Sequence, residues 1–582
     1  MKSTFINSNP HLHKEKEMVE FRKAFLLLAA LVALTGIVSA QVTPLSCTAN
    51  AGVPPLARAE GVAEEVGQVI INCVGGQPTT LGAAIPTINV QIFLNTTVTS
   101  RLLSSTSGTI NSEALLMIDE PLPGAQFLAS SIPNTTVVTG MGNGDYAASA
   151  TRPNLFLGQQ QGSNSIVWLN IPFDPPGTTR NRVLRIANVR ANANQLGVST
   201  TLIPTAINMF ISISGTGSLA LTNPQLTVAY VQLGLKFSAS SATWNQCVPG
   251  TYSYNIKFAE NFGTAFRHKD SGSVMQDIPG RIYNTESMFY GPALGSYSAI
   301  AGLATQGTQL IARFSNVPAN ISISVPVYTA TAPAVSSGSD YAVTITNGAS
   351  GSTTGTDGVV ALTGGAGAAV FEVIASNPGA ISTFTIPVSV TYKASPLPGL
   401  GTATVTGNYA PTTTVTTASY SAPVPRFVDN PQSATTFTIS SCRTNLLFPF
   451  LTNVAGFDSG VVISNTSMDP FGTVTQSGPC TLNYYGTTGG TGAAPAAQTS
   501  GTVAAGSQLV LTLSAGGNLG VVATPGFQGY VIATCNFQYA HGYAFISDLG
   551  ASRVAEGYLA LVMDAQMSTF PRTGTVSEVL GM

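Results

Sequence analysis

Residues 384–392 read FTIPVSVTY, and their reading decides the fold. Phe384, Ile386, Val388, Val390 and Tyr392 alternate with Thr385, Pro387, Ser389 and Thr391. A period of two puts every apolar side chain on one face of an extended strand and every polar one on the other. The same pattern recurs outward along the chain. Ile88, Val90, Ile92 and Leu94 alternate with Asn89, Gln91 and Phe93; Ile207, Met209, Ile211 and Ile213 with Asn208, Phe210 and Ser212; Ile321, Ile323, Val325 and Val327 with Ser322, Ser324 and Pro326. The 59 Gly and 35 Pro fall largely between such runs, where turns need them. Pro326 and Pro387 lie inside strand patterns, so those strands are expected to be edges or bulged there. The expectation is an all-β protein of several antiparallel β-sandwich domains in series, Ig-like or jelly-roll-like, after a signal peptide.

Composition changes along the chain suggest the divisions. Residues 41–240 read as one large N-terminal β-sandwich domain. Residues 246–330 and 331–425 read as two smaller modules, the second Ig-like and ending in a linker, or as one split module. The linker candidate is the Thr-, Ser- and Pro-rich stretch Ala410 to Pro425. Residues 348–368, rich in Gly, Ser, Thr and Ala, read as a mobile hairpin loop. A C-terminal sandwich is expected over 435–565, followed by a tail, 566–582, with no apolar anchor helix and no LPxTG sorting motif. No tandem repeat emerges.

Phe21 to Gln41, FRKAFLLLAALVALTGIVSAQ, has the layout of a secretory signal peptide: a basic flank at Arg22 and Lys23, an apolar run, and the small-residue site Val38-Ser39-Ala40. Met1 or Met18 could be the start. Removing residues 1–40 takes away five basic and three acidic residues, leaving 18 and 22 and a net charge of −4. Charged residues are 8% of the chain, against roughly 25% in an average soluble protein. With no basic patch, binding to nucleic acid or to anionic membranes by charge is not expected. No second apolar run is long enough to span a bilayer. All six cysteines lie after residue 40, and none forms a CxxC motif. In an exported chain they are expected to pair, and we expect Cys47–Cys73, Cys247–Cys442 and Cys480–Cys535 from among fifteen possible connectivities.

Residues that could carry chemistry are sparse. After cleavage His268 and His541 are the only histidines. His541 has Ser547 and Asp548 downstream, yet no GxSxG elbow accompanies them, and a turn histidine is the plainer reading; His268, in FRHKD, reads as a solvated loop. Glu113, Asp119 and Glu120 frame SEALLMIDEP, where paired carboxylates could serve a hydrolase or calcium, but a polar loop closing a hairpin accounts for them as well. Aromatic side chains are the remaining route to a ligand, by stacking on sugar rings. Tyr485, Tyr543 and Trp168 are the candidates, whereas Tyr484 shares a face with Cys480 and Leu482 and reads as core. No P-loop or dinucleotide fingerprint occurs, and neither cofactor nor metal is expected.

Three stretches, CRTNLLFPFLTNVAGFDSGVVISNTSMDPFGT (Cys442 to Thr473), CTLNYYG (Cys480 to Gly486) and PGFQGYVIATCNFQYAHGYAFISDLG (Pro525 to Gly550), resemble a module recurring in secreted multi-domain β-proteins of soil acidobacteria. RVLRIANVRANANQLG (Arg182 to Gly197) resembles part of the N-terminal region of the same proteins. The resemblance implies an extracellular or envelope β-protein, with Gly529, Cys480 and Cys535 as structural positions and no catalytic residue. The reading that emerges is an exported, non-enzymatic structural or adhesive protein of the cell surface or matrix. A carbohydrate-binding protein is the alternative and a hydrolase the last choice; its expected partners are copies of itself or surface glycans.

Overall fold

The computed structural model describes residues 21–26, 43–106, 109–131, 133–198, 203–215, 219–270, 275–335, 342–345 and 351–563. Most of the signal peptide and all of the 566–582 tail therefore lie outside the described residues, with Phe21 to Leu26 helical. No helix among the described residues is long and apolar enough to cross a membrane. Strands dominate, as the alternation requires, and they assemble into three successive domains.

The first domain is one twelve-stranded sheet. Its centre runs Gly177–Ala187, Thr109–Ile118, Leu155–Gln160, Ser165–Pro172, Thr87–Leu94 and Thr205–Gly215, all antiparallel neighbours. The sheet folds over so that Val69, Ile71, Val90, Ile92, Trp168, Ile186, Ile211 and Val231 share one core. Part of its opposite face is also covered. Leu115, Met117, Leu155 and Leu157 pack under Phe289, Tyr290 and Leu294, which come from the long excursion between Gly250–Glu260 and Gln309–Ser315. Burial on both faces explains why Ala114 to Ile118 is a continuous apolar run.

The second domain corrects three expected boundaries. Residues 246–330 and 331–425 are not separate modules, because their strands alternate within two shared sheets. Gly250–Glu260 pairs along its length with Thr383–Tyr392, and Gln309–Ser315 lies between Gly367–Ala375 and Gly401–Ala410. Either half alone would leave open strand edges. The first domain ends by Gln232 rather than at 240, since Leu235–Ala239 joins the Gly250–Glu260 sheet. Gln432–Ser440 likewise belongs here, paired with Gly401–Ala410, so the third domain starts at Thr444. Pro387 sits opposite Asn255, where the neighbouring strand Ile321–Ser324 has already ended, so its missing N–H breaks no ladder; Pro326 falls after that strand. The described part of the expected 348–368 loop carries Val359–Val360, paired onto Ile321–Ser324.

The stretch 411–428 corrects a fourth expectation. It is a strap, not a linker. Ser419 accepts from Leu102 N at 3.0 Å, Thr416 from Asn192 Nδ2 at 3.3 Å, and Phe427 bridges Gly61. Arg426, buried beneath it, donates to the carbonyls of Val415 and Thr417. Burial, then the nearby Arg190, lowers Arg426 to about 10.

The third domain is a sandwich with Cys480–Thr488, Phe527–Cys535 and Thr444–Thr452 in one sheet and Gln508–Thr512, Asp458–Asn465, Ala540–Ser547 and Ala555–Leu559 in the other. The disulfides are Cys47–Cys73, Cys247–Cys442 and Cys480–Cys535, the pairing expected. The first and last join residues directly opposite on neighbouring strands. The middle one closes the end of the second domain, just after the paired strands Ala242–Asn245 and Gln432–Ser440 and two residues before the third domain begins.

Candidate functional site

The carboxylates singled out in the sequence are spent on structure. Glu113 is fully buried; its Oε1 accepts from Arg101 N at 2.8 Å and Arg190 Nε at 3.3 Å, and its Oε2 from Gly302 N at 2.9 Å. Asp119 pairs with Arg182 and accepts from Val183 N at 2.9 Å, while Glu120 pairs with Arg185. Burial raises Asp119 against the pull of Arg182. With their oxygens held by guanidiniums, Asp119 and Glu120 fit neither a glycosidase pair nor a calcium loop.

The histidines are equally local. His268 is half-buried, not solvated, with Nδ1 2.6 Å from Ser376 Oγ. Burial lowers it below the usual imidazole range, against Asp270 and Glu286. His541 Nδ1 lies 3.0 Å from Thr466 Oγ1 at one end of Ala540–Ser547. Ser547 and Asp548 lie at the other end, about 20 Å away at a strand's rise per residue, and Asp548 caps its own turn through Gly550 N.

Trp168 is not a ligand platform. It is fully buried in the first core, and a Cβ on Gly158 would lie 2.4 Å from Ile166 Cγ2 and 3.1 Å from the Trp168 ring, so the glycine makes room for both side chains. The strand is buried from Ser165 through Trp168, a covering that alternation cannot show.

The two tyrosines behave as the sequence suggests. Tyr484 points inward, edge-on to Phe527 at 5.3 Å, and burial pushes it up to about 12. Tyr485 points outward, 44% exposed, and stacks on Tyr530 of the neighbouring strand at 4.9 Å and 13°. Just beyond this pair, Gly486 faces Gly529, and a Cβ on Gly529 would sit 2.0 Å from the Tyr485 carbonyl oxygen. Phe450, also exposed, extends the face at a bulge opposite Tyr530. Tyr543 belongs to the other sheet. Cross-strand register places Val510, Val462, Tyr543 and Leu559 in one outward row, with Phe545 beside it. The third domain thus turns apolar and aromatic side chains outward from both sheets.

What the sequence did not reveal is a buried charge network between the first two domains. Arg58 donates to Glu64 Oε1 at 2.9 Å, Glu286 Oε1 at 2.7 Å, Thr308 Oγ1 at 3.0 Å and the Ala265 carbonyl at 3.2 Å. Its guanidinium lies 4.7 Å from the Phe427 ring centroid. Arg190 reaches the Glu286 carbonyl at 2.9 Å. Burial works against these charges, but Glu286 and Glu64 hold Arg58 well above its ordinary value, and Arg58 holds Glu286 below its own. A groove of about 410 Å³ opens beside the network, between Val53 and Ile70 on one side and Ile282 and Phe289 on the other. Arg185 and Arg267 on its wall are already paired with Glu120 and Glu65.

No protein-family model matches the chain, and no curated protein matches it in sequence. Among solved structures, the C-terminal domain of the AgI/II polypeptide BspA of Streptococcus agalactiae aligns at 8% identity over 68% of this chain and 100% of that one, with a TM-score of 0.24. The major pilin subunit BcpA of Bacillus cereus aligns at 8% identity over 81% and 96%, TM-score 0.17. The CupB6 tip adhesin of Pseudomonas aeruginosa aligns at 8% identity over 68% and 99%, TM-score 0.16.

Proposed function

We propose that this chain is an exported, non-enzymatic structural or adhesive protein whose third domain is the contact module. The observation that carries this reading is the pair of outward faces on that domain: Tyr485 with Tyr530 on one sheet, Val510, Val462, Tyr543 and Leu559 on the other. Exposed apolar rows on a sandwich with a complete core of its own cost solubility without adding to that core, which is the signature of a surface kept for contact. Export is supported by the signal-peptide layout and by three disulfides, which persist outside the reducing cytoplasm.

The test is fractionation of cells producing the full chain. The chain is expected outside the cytoplasm, retained on the washed cell surface and open to external protease. A Tyr485→Ser/Tyr530→Ser/Tyr543→Ser variant is expected to be exported equally but shed into the medium. A cytoplasmic chain, or a variant retained as well as the parent, overturns the proposal.

A further inference from the structure

We propose that the outer face of the first domain holds a separate binding site, a trough of uncharged amides that takes a neutral polysaccharide chain. Register across four adjacent strands sets Ser212, Gln91, Val167 and Gln159 in one row. Ser214 and Asn89 continue the face in the next row. Together with Gln160 and Gln161 they line a groove of about 420 Å³ whose apolar patches are Val167, Leu169 and Ile110. Among the described residues, no charged side chain lines it.

Each feature narrows the occupant. A sugar hydroxyl is donor and acceptor at once, and a primary amide offers both on one side chain. A charged ligand would lose hydration here and gain no ion pair. A nucleic acid would find no cation for its phosphates. A peptide adds to a sheet at an open edge, whereas these strands lie in the sheet interior with a partner on each side. The occupant must therefore be recognised by side chains alone.

Part of the amide capacity is used to hold the rest in place. Gln91 Nε2 donates to Gln161 Oε1 at 2.9 Å, Gln160 Nε2 to the Gly162 carbonyl at 2.9 Å, and Asn170 N to Asn89 Oδ1 at 2.8 Å. Beside the amide row, Phe210 and Phe93 form an outward ring pair with centroids 6.4 Å apart, Phe210 being 47% exposed. An exposed ring there offers an apolar face to a pyranose while the amides meet its hydroxyls. Beneath the trough, Val90, Ile92, Ile166 and Ile211 are fully buried, so the site stands on a rigid floor.

This inference stands on residues of the first domain and does not depend on the tyrosine faces of the third. The experiment is calorimetric titration of the full chain with hexasaccharides of glucose, galactose, mannose and xylose, and with uronic-acid hexasaccharides as the charged contrast. At least one neutral sugar is expected to bind with a Kd between about 10 μM and about 1 mM, with no dependence on salt. Gln91→Ala, Gln159→Ala and Phe210→Ala are each expected to weaken binding about tenfold or more. Ser212→Arg, at an exposed position, should abolish it with the melting temperature unchanged. Tyr485→Ser/Tyr530→Ser/Tyr543→Ser should bind as the parent does, which separates this site from the adhesive faces. No neutral sugar bound at about 5 mM, binding of uronates only, or binding that survives both Gln91→Ala and Ser212→Arg would overturn the proposal.

Discussion

The joint between the first and second domains is closed by Arg58, Glu64 and Glu286, fully buried, and none of the three disulfides crosses it. At the junction of the second and third, Cys247–Cys442 is one bond spanning 195 residues of chain on the second domain's side, and Gln476 of the third domain donates towards Cys247 Sγ at 3.7 Å. The first joint depends on every partner being present. A buried charge that loses its counter-ion keeps the cost of leaving water and gains nothing in return. The second acts mainly on the unfolded chain, by shortening the loop it can explore. One device is fragile to single substitutions and to acid, the other to reductant.

The sharpest way to break that comparison is to remove the covalent joint. For a loop of this length the chain-entropy term is about 5 kcal/mol. Cys247→Ser/Cys442→Ser is expected to lower the stability of the second domain by up to about that amount in denaturant titration. The loops closed by Cys47–Cys73 and Cys480–Cys535 span 26 and 55 residues, and their terms are about 3.5 and about 4 kcal/mol. A double variant that melts like the parent would show the bridge to be idle.

Next in size is the ionic joint. Arg58→Met leaves Glu64 and Glu286 facing each other without a cation and is expected to cost about 3–5 kcal/mol. Limited proteolysis should then cut within 411–428, because Phe427 loses the guanidinium it lies beneath. Replacing all three residues with apolar ones of similar volume should recover most of that loss, since a buried ion pair and a well-packed apolar group are often close in stability. Recovery would show that the joint needs completeness, not charge as such.

The two joints were not equally legible. Alternation in FTIPVSVTY and its counterparts gave the strands, and with them the inward placement of Cys480 and Cys535 on facing strands. With Cys47–Cys73 the pair nearest in sequence, Cys247–Cys442 is the pair left over, and in this way the covalent joint could be inferred from the sequence. The ionic joint could not, because Glu286 joins Arg58 and Glu64 from 228 residues away along the chain. The nearest signal was rarity: in a chain with 8% charged residues, arginines embedded in the apolar stretch RVLRIANVR, among them the Arg190 that reaches the Glu286 carbonyl, are expected to be paired. Trp168 misled for the opposite reason, since four consecutive buried residues, Ser165 to Trp168, hide which face is the core. Domain limits failed where strands from distant segments interleave, as Gly250–Glu260 and Thr383–Tyr392 do. The amide trough was visible residue by residue, as the wet positions Asn89, Gln91 and Ser212. Their meeting in one row is a matter of register between strands, which no single strand encodes.

The smallest expected effect is the response of the ionic joint to acid, because its groups pull in opposite directions. Glu286 is held below the ordinary carboxylate range: burial opposes its charge, but Arg58 outweighs burial. Its contribution to stability is complete above the unfolded value of about 4.3 and is lost as pH falls through the lowered folded value. Glu60 and Glu65 are raised by burial, against the hydrogen bonds from Gly234 and Leu235 in one case and Arg267 in the other. Their ionised forms cost stability at neutral pH, and that cost is relieved as pH falls through their raised values. The side chain of Glu65 is 23% exposed, so solvent screening reduces its share. The melting temperature of the first two domains should therefore hold or rise slightly as pH falls from neutral, and then drop once Glu286 takes up its proton. Glu65→Gln should flatten the rise and leave the drop in place. The covalent joint has no group that titrates in this range, so a third-domain melt that follows the same curve would show the domains to unfold as one unit and would dissolve the distinction between the two joints.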